Sequence, residues 1–136
     1  MKIIVCLDDN GGMMFNHRRQ SRDRLVTADI LDSSRGKKLY IDEYSQKLFA
    51  DLEGSYTVSD NMLEDAGDED MCFVENKALS HVIGRIEEIT VYRWNRVYPA
   101  DTYFDIDLVK EGFVLRDTRE FEGNSHEKIT KETFTR

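Results

Sequence analysis

Four arginines lie within seven residues, Arg18, Arg19, Arg22 and Arg24, on either side of Ser21. Planar guanidinium groups match phosphate oxygens two bonds at a time, so such a cluster suits a phosphate-bearing ligand or an RNA backbone. Phe15 and His17 stand close enough in sequence to stack on a base. The plainer reading of the same arginines is a solvated loop, or ion partners for acids elsewhere in the chain. Those acids are concentrated: from Asp51 to Glu75 there are nine Asp and Glu and no Lys or Arg. Residues 60–70 alone hold six acids. They lack the order of Asp, Asn, Gly and a late Glu that a calcium loop requires. The segment reads as a solvated, mobile loop, and no metal is expected.

His17, His81 and His126 have no spacing that would hold zinc, and His81 reads as a surface residue. Ser125-His126-Glu127 contains the letters of a nucleophile, a base and an acid, but sequence neighbours seldom converge on one point in space. Cys6 and Cys72 sit in apolar runs with no Cys-x-x-Cys, so both are expected reduced and buried. Asp9-Asn10-Gly11-Gly12 is a turn, because Asn and Gly tolerate positive φ.

The elements that must carry these residues follow from apolar periodicity. Residues 2–7 are a short continuous apolar run, as expected for a strand covered on both faces. Ser21 is placed to cap a helix over about 22–32, with Leu25, Ala28 and Leu31 inward. Further helices are expected over 43–52 and 77–86. Strands are expected at 39–41, 56–58, 71–74 and 89–94, with Tyr92 and Trp94 on one face in the core. The strands at 56–58 and 71–74 are expected to pair across the acidic loop. Phe113 to Leu115 and Lys128 to Thr135 form a closing antiparallel pair. Strands alternating with helices imply an α/β fold with a central, largely parallel sheet. The 136 residues suit one domain, 1–136, and the single proline and absence of repeats agree. A net charge of −8 argues against a general nucleic-acid coat, and no apolar run is long enough for a membrane span. A cytoplasmic protein is expected.

Two stretches together resemble the dihydrofolate reductase-like superfamily. Lys2-Ile-Ile-Val-Cys-Leu-Asp-Asp-Asn-Gly-Gly-Met13 is similar to that family's opening strand and the glycine-bearing turn over its active site. Ile86 to Asp105 is similar to its late strand followed by an Asp-Thr-x-Phe signature, here Asp101 to Phe104. The order of elements between them agrees, so the resemblance covers most of the chain. It implies a mixed, largely parallel sheet flanked by helices, with antiparallel C-terminal strands. It also implies a ligand site at Asn10, Gly11, Gly12 and an acid on the first helix, near Asp23, joined by Arg18, Arg19 and Arg22 from the basic cluster. The helix first turn is also where the dipole favours any acid, so Asp23 has a second reading as a structural residue.

The departures decide what is expected of function. The family's adjacent glycine pair, which lets a cofactor pyrophosphate approach bare backbone, is replaced by Val74-Glu75-Asn76-Lys77-Ala78. Its basic Gly-Arg-x-Thr turn is replaced by the acidic Ile41-Asp42-Glu43-Tyr44-Ser45, and its Pro-Trp before the first helix by Asn16-His17-Arg18-Arg19. No cofactor is expected, and NADPH-dependent reduction is not. The expectation is a degenerate member that binds a small molecule or a protein without catalysis. Two alternatives are an enzyme using Asp23 on a nucleotide- or pterin-like ligand, and an RNA-associated protein acting through Arg18 to Arg24.

Overall fold

The computed structural model describes residues 1–136. In chain order the elements begin with β1 (Lys2–Leu7), β2 (Gly12–Phe15), β3 (Arg18–Arg19), α1 (Arg24–Ser33), β4 (Leu39–Ile41) and α2 (Gln46–Phe49). There follow β5 (Thr57–Val58), α3 (Met62–Asp65), β6 (Met71–Phe73) and a 3-10 turn over Ser80–Arg85. The chain closes with β7 (Glu88–Arg93), β8 (Thr102–Tyr103), β9 (Val114–Phe121) and β10 (Ile129–Thr135). The main sheet runs β5-β4-β6-β1-β7-β10-β9, and β3-β2-β8 form a small second sheet. All neighbours from β5 to β7 are parallel, whereas β10 is antiparallel to both β7 and β9. That is the mixed, largely parallel α/β sheet with antiparallel C-terminal strands expected above.

β1 explains why its sequence is apolar throughout. Successive side chains point to opposite faces. Ile3, Val5 and Leu7 enter one core with Ile89, Val91 and Phe113, while Ile4 enters the other with Ile30, Phe73 and Tyr92. Trp94 lies in the second core too, as its alternation with Tyr92 implies. Cys72 is fully buried and Cys6 partly so; both are free, and burial pushes the Cys72 thiol up to about 12.

Several local expectations are corrected. α1 is capped by Asp23, whose carboxylate accepts from the Leu25 N–H, and not by Ser21. The cap sits two residues later, so the buried face is Val26, Thr27, Ile30 and Leu31, and Leu25 faces out. The helix expected over 43–52 contracts to Gln46–Phe49, preceded by a turn in which Asp42 accepts from the Ser45 N–H. The helix expected over 77–86 is a 3-10 turn whose first N–H groups, on Leu79 and Ser80, are held by the Asp105 carboxylate. The strands at 57–58 and 71–73 do not pair, because β4 lies between them.

The acidic 60–70 segment is not a free loop. It folds into α3, which buries Met62, Leu63 and Ala66 in the first core. Arg85 ties it down through the carbonyls of Leu63 and Ala66, each 2.6 Å away. One apolar face of a single helical turn was hidden among the acids that remain outside. No helix is long and apolar enough to cross a membrane.

Candidate functional site

A cleft opens at the C-terminal ends of β1, β6 and β7, the end of a parallel sheet where ligands bind in folds of this kind. Its walls include Cys6, Ser21, Val26, Phe73, Glu75 and Trp94. The enclosed part is narrow, with about 20 Å³ of free space, room for about one water. Asp23 and Thr27 separate it from a wider basin of about 280 Å³, rimmed by Arg22, Arg24, Lys47, Asp51, Asn124 and Ser125.

The wall between the two is built around Asp23, whose side chain is fully buried. Its Oδ1 accepts from the N–H of Leu25 at 3.0 Å and of Asn124 at 2.8 Å. Its Oδ2 accepts from the Ser125 N–H at 2.8 Å and lies 2.9 Å from His126 Nδ1. Burial alone would raise its pKa, but these donors outweigh it and hold the carboxyl at about 2. An ionised carboxylate only accepts, so Nδ1 of His126 carries a proton, and with that as its one ring proton Nε2 is an acceptor. Two hydroxyls meet that nitrogen: Ser21 Oγ at 3.0 Å and the Tyr98 OH at 3.1 Å. The imidazole stacks on Trp94, with ring centroids 4.6 Å apart and planes 21° apart. Gly123 permits the assembly, since a Cβ there would lie 2.5 Å from Asp23 Oδ2 and 3.0 Å from the His126 carbonyl oxygen.

The opposite wall is an ion pair. Arg19 donates to both oxygens of Glu75, at 2.8 and 3.0 Å, and the Ser45 hydroxyl donates to Glu75 Oε1 at 2.7 Å. The Arg19 guanidinium also lies over the Tyr44 ring. Nearby, buried Asp42 pairs with Lys77 at 3.6 Å. The two acids noted at the positions of the family's phosphate contacts are thus neutralised by cations of their own. The N–H groups of the following turn are already taken by Asp105, as described above. Neither a bare backbone approach nor a free cation is offered to a pyrophosphate at Val74 to Ala78, and the residues present do not fit NADPH.

The turn at Asn10, Gly11 and Gly12 is organised by Asp8 and lies outside the residues that line the cleft. Asp8 is fully buried and accepts from the N–H of Asn10, Gly12 and Tyr98 and from Gln20 Nε2. Burial works to raise its pKa, and these bonds lower it on balance. Gln20 lines the cleft, and its Oε1 is buried with no partner in the protein. The arginine cluster is divided. Arg19 is held by Glu75, Arg18 is exposed on β3 beside Phe15 and Pro99, and Arg22 and Arg24 reach the basin rim. Asp23 is therefore brought together with Arg22, but its oxygens are saturated, which makes it a positioning anion rather than a proton donor. His126, Tyr98 and Trp94 were not singled out as site residues in the sequence. Ser125-His126-Glu127 drew attention to His126 only as a run of letters; Gly123 shortly before it, a residue that leaves room for another group, is a second local signal.

No protein-family model matches the sequence, and no curated protein matches it. Among solved structures the chain is similar to dihydrofolate reductase from Enterococcus faecalis, a complex with NADP(H) and RAB-propyl. The TM-score is 0.67 at 11% sequence identity, over 99% of this chain and 95% of that one. At that identity the likeness is one of fold: this chain has the dihydrofolate reductase-like fold.

Proposed function

We propose that the protein binds a small anionic molecule in the basin beside Asp23 and does not act as a pyridine-nucleotide reductase. The observation that carries this is the distribution of charge around the cleft. Glu75 and Asp42 each have a cationic partner, in Arg19 and Lys77, and Asp23 is enclosed by backbone N–H groups and His126. Arg22, Arg24 and Lys47 have no ion-pair partner, and all three rim one concavity. Exposed cations around a concave floor attract a carboxylate or phosphate, and the unmatched Gln20 Oε1 in the adjoining cleft accepts a ligand N–H or O–H. The same residues argue against NADPH, because its phosphates would meet Glu75 and displace the Arg19 pair.

Trp94, the single tryptophan, lines the cleft and not the basin, so calorimetry is the direct reading of basin occupancy. Titration with glutarate should give a saturable heat that weakens with salt and is lost in the Arg24→Ala, Lys47→Ala double variant. Calorimetry with NADPH should give no saturable heat. Saturable NADPH binding would overturn the reading. Absence of saturable glutarate heat together with steeply salt-dependent binding of single-stranded RNA would replace it with the RNA reading of the Arg18 to Arg24 cluster.

A further inference from the structure

The residues that divide cleft from basin meet the geometric conditions of a nucleophilic relay that no contiguous motif announces. Ser21 Oγ lies 3.0 Å from His126 Nε2, and His126 Nδ1 lies 2.9 Å from Asp23 Oδ2. A hydroxyl, a base and an acid that orients the base are thus in hydrogen-bond contact in that order. The acid is fixed by three backbone N–H groups and the base is stacked on Trp94, so neither needs to reorganise. A purely structural clamp would need Asp23, the 123–126 turn and His126. It would not need a serine, partly buried on the cleft wall, at the second ring nitrogen, where the Tyr98 OH is already a partner.

We propose that Ser21 is the nucleophile of an acyl-transfer reaction, with His126 as general base and Asp23 as the positioning anion. The substrate class is a small ester bearing a negative charge, which the Arg22, Arg24 and Lys47 rim holds; this part rests on the ligand reading above. Ser21 Oγ forms a bond to the ester carbonyl carbon while its proton passes to His126 Nε2. The carbonyl π pair moves onto oxygen, where Arg22, unpaired and on the walls of both cavities, is the cation at hand. Collapse breaks the bond from carbon to the alkoxy oxygen, and the proton on Nε2 goes to the departing alcohol. Water then attacks the acyl carbon and gives a proton to Nε2. The acid departs and Ser21 Oγ recovers that proton. The balance is ester plus water to acid plus alcohol, with no oxidant or reductant. The Tyr98 OH, 3.1 Å from Nε2 and 3.4 Å from Ser21 Oγ, competes for the same lone pair until substrate arrives.

The test is to treat the folded, full-length chain with a fluorophosphonate and map the adduct by mass spectrometry. A single adduct at Ser21 is expected, absent in Ser21→Ala and formed roughly 10³-fold or more slowly in His126→Asn. Hydrolysis of an aryl ester carrying a carboxylate should exceed that of its neutral counterpart by about tenfold, the effect of ~1.4 kcal/mol, and Arg24→Ala should erase the preference. The wild-type adduct decides even if His126→Asn does not fold. No adduct on the native chain, or an adduct that persists in Ser21→Ala, overturns the relay. Glutarate binding without any adduct overturns the relay and leaves the ligand reading standing. A Ser21 adduct without preference for the charged ester keeps the relay and overturns the substrate class.

Discussion

Gly123→Ala adds one methyl group at a point where the structure has no slack. Its Cβ would lie 2.5 Å from Asp23 Oδ2, 3.1 Å from Asp23 Cγ and 3.0 Å from the His126 carbonyl oxygen. Normal contact would require a shift of nearly an ångström. The carboxylate cannot supply it alone, because Leu25, Asn124, Ser125 and His126 hold it from several sides. If the 123–126 turn moves instead, it takes the Asn124 and Ser125 N–H donors with it. Overpacking costs about 1–3 kcal/mol, and loss of one bond to an ionised group about 1.5–3 kcal/mol. The expected loss is therefore roughly 3–5 kcal/mol, which lowers the urea midpoint by about 2–3 M at an m-value near 1.5 kcal/mol/M. Circular dichroism during urea unfolding at pH 7 measures it. The pH dependence supplies a second check. Asp23 is lowered from 3.8 to about 2 in the fold, so its charged form stabilises the protein above the unfolded value, and that contribution is lost as pH falls through the folded one. At ~1.4 kcal/mol per unit this is about 2 kcal/mol, present in the wild type and missing in the variant. The gap between the two proteins should thus narrow by that amount between pH 5 and pH 2, in roughly the window where linkage acts. A loss below about 1 kcal/mol at pH 7, typical of an unremarkable surface change, would refute the view that Gly123 is required by close approach.

Met62→Ala should destabilise by about 2–5 kcal/mol in the same assay, since α3 is a core element and the side chain is fully buried; a change under half a kcal/mol, the ordinary size for a surface site, would restore the free-loop reading. Asp29 accepts from the Tyr92 OH, Arg119 and Lys131, joining α1 to the C-terminal strands, and these partners keep its pKa low although burial works to raise it. Asp29→Ala should cost roughly 3 kcal/mol and expose β9 and β10 to faster hydrogen exchange, while unaltered exchange there would show that the sheet edge holds without α1. Cys6 and Cys72 both have thiols pushed up by burial, so at pH 8 Ellman's reagent should modify them only once urea is added. Rapid reaction of native Cys72 would mean that the β6 core opens readily.

The sequence disclosed those elements whose residues form a local pattern. β1, β4, β6 and β7 are short apolar runs because they are covered on both faces, and that composition does not depend on what covers them. The helices were less legible, in one case because the start is set by a distant group. Asp105 takes the first N–H groups of the Ser80–Arg85 turn from a position some 25 residues away. α3 escaped notice because its acids dominate the composition while only Met62, Leu63 and Ala66 enter the core. His126 is the extreme case, since its partner Asp23 lies 103 residues earlier. As expected of sequence neighbours, Ser125-His126-Glu127 does not converge as hydroxyl, base and acid, yet His126 meets an acid and a hydroxyl at its two ring nitrogens. The acid comes from the helix cap, and the hydroxyl on the second nitrogen comes from Ser21.

Net charge is a poor guide to local charge for a related reason. A chain of −8 would be expected to repel anions, yet the field that matters at a cleft is set by the charges left unpaired beside it. Two acids near the cleft are matched one to one, Glu75 by Arg19 and Asp42 by Lys77. Exposed acids such as Glu53, Asp68 and Glu69 lie elsewhere on the surface, screened by solvent and salt. At the basin three cations, Arg22, Arg24 and Lys47, face two acids, Asp51 and the buried Asp23. The surplus is local and positive. Under the proposed function the anion therefore sits in the basin beyond Asp23, adjoining Ser21, and not at Val74 to Ala78, where Glu75 and Asp42 are already paired.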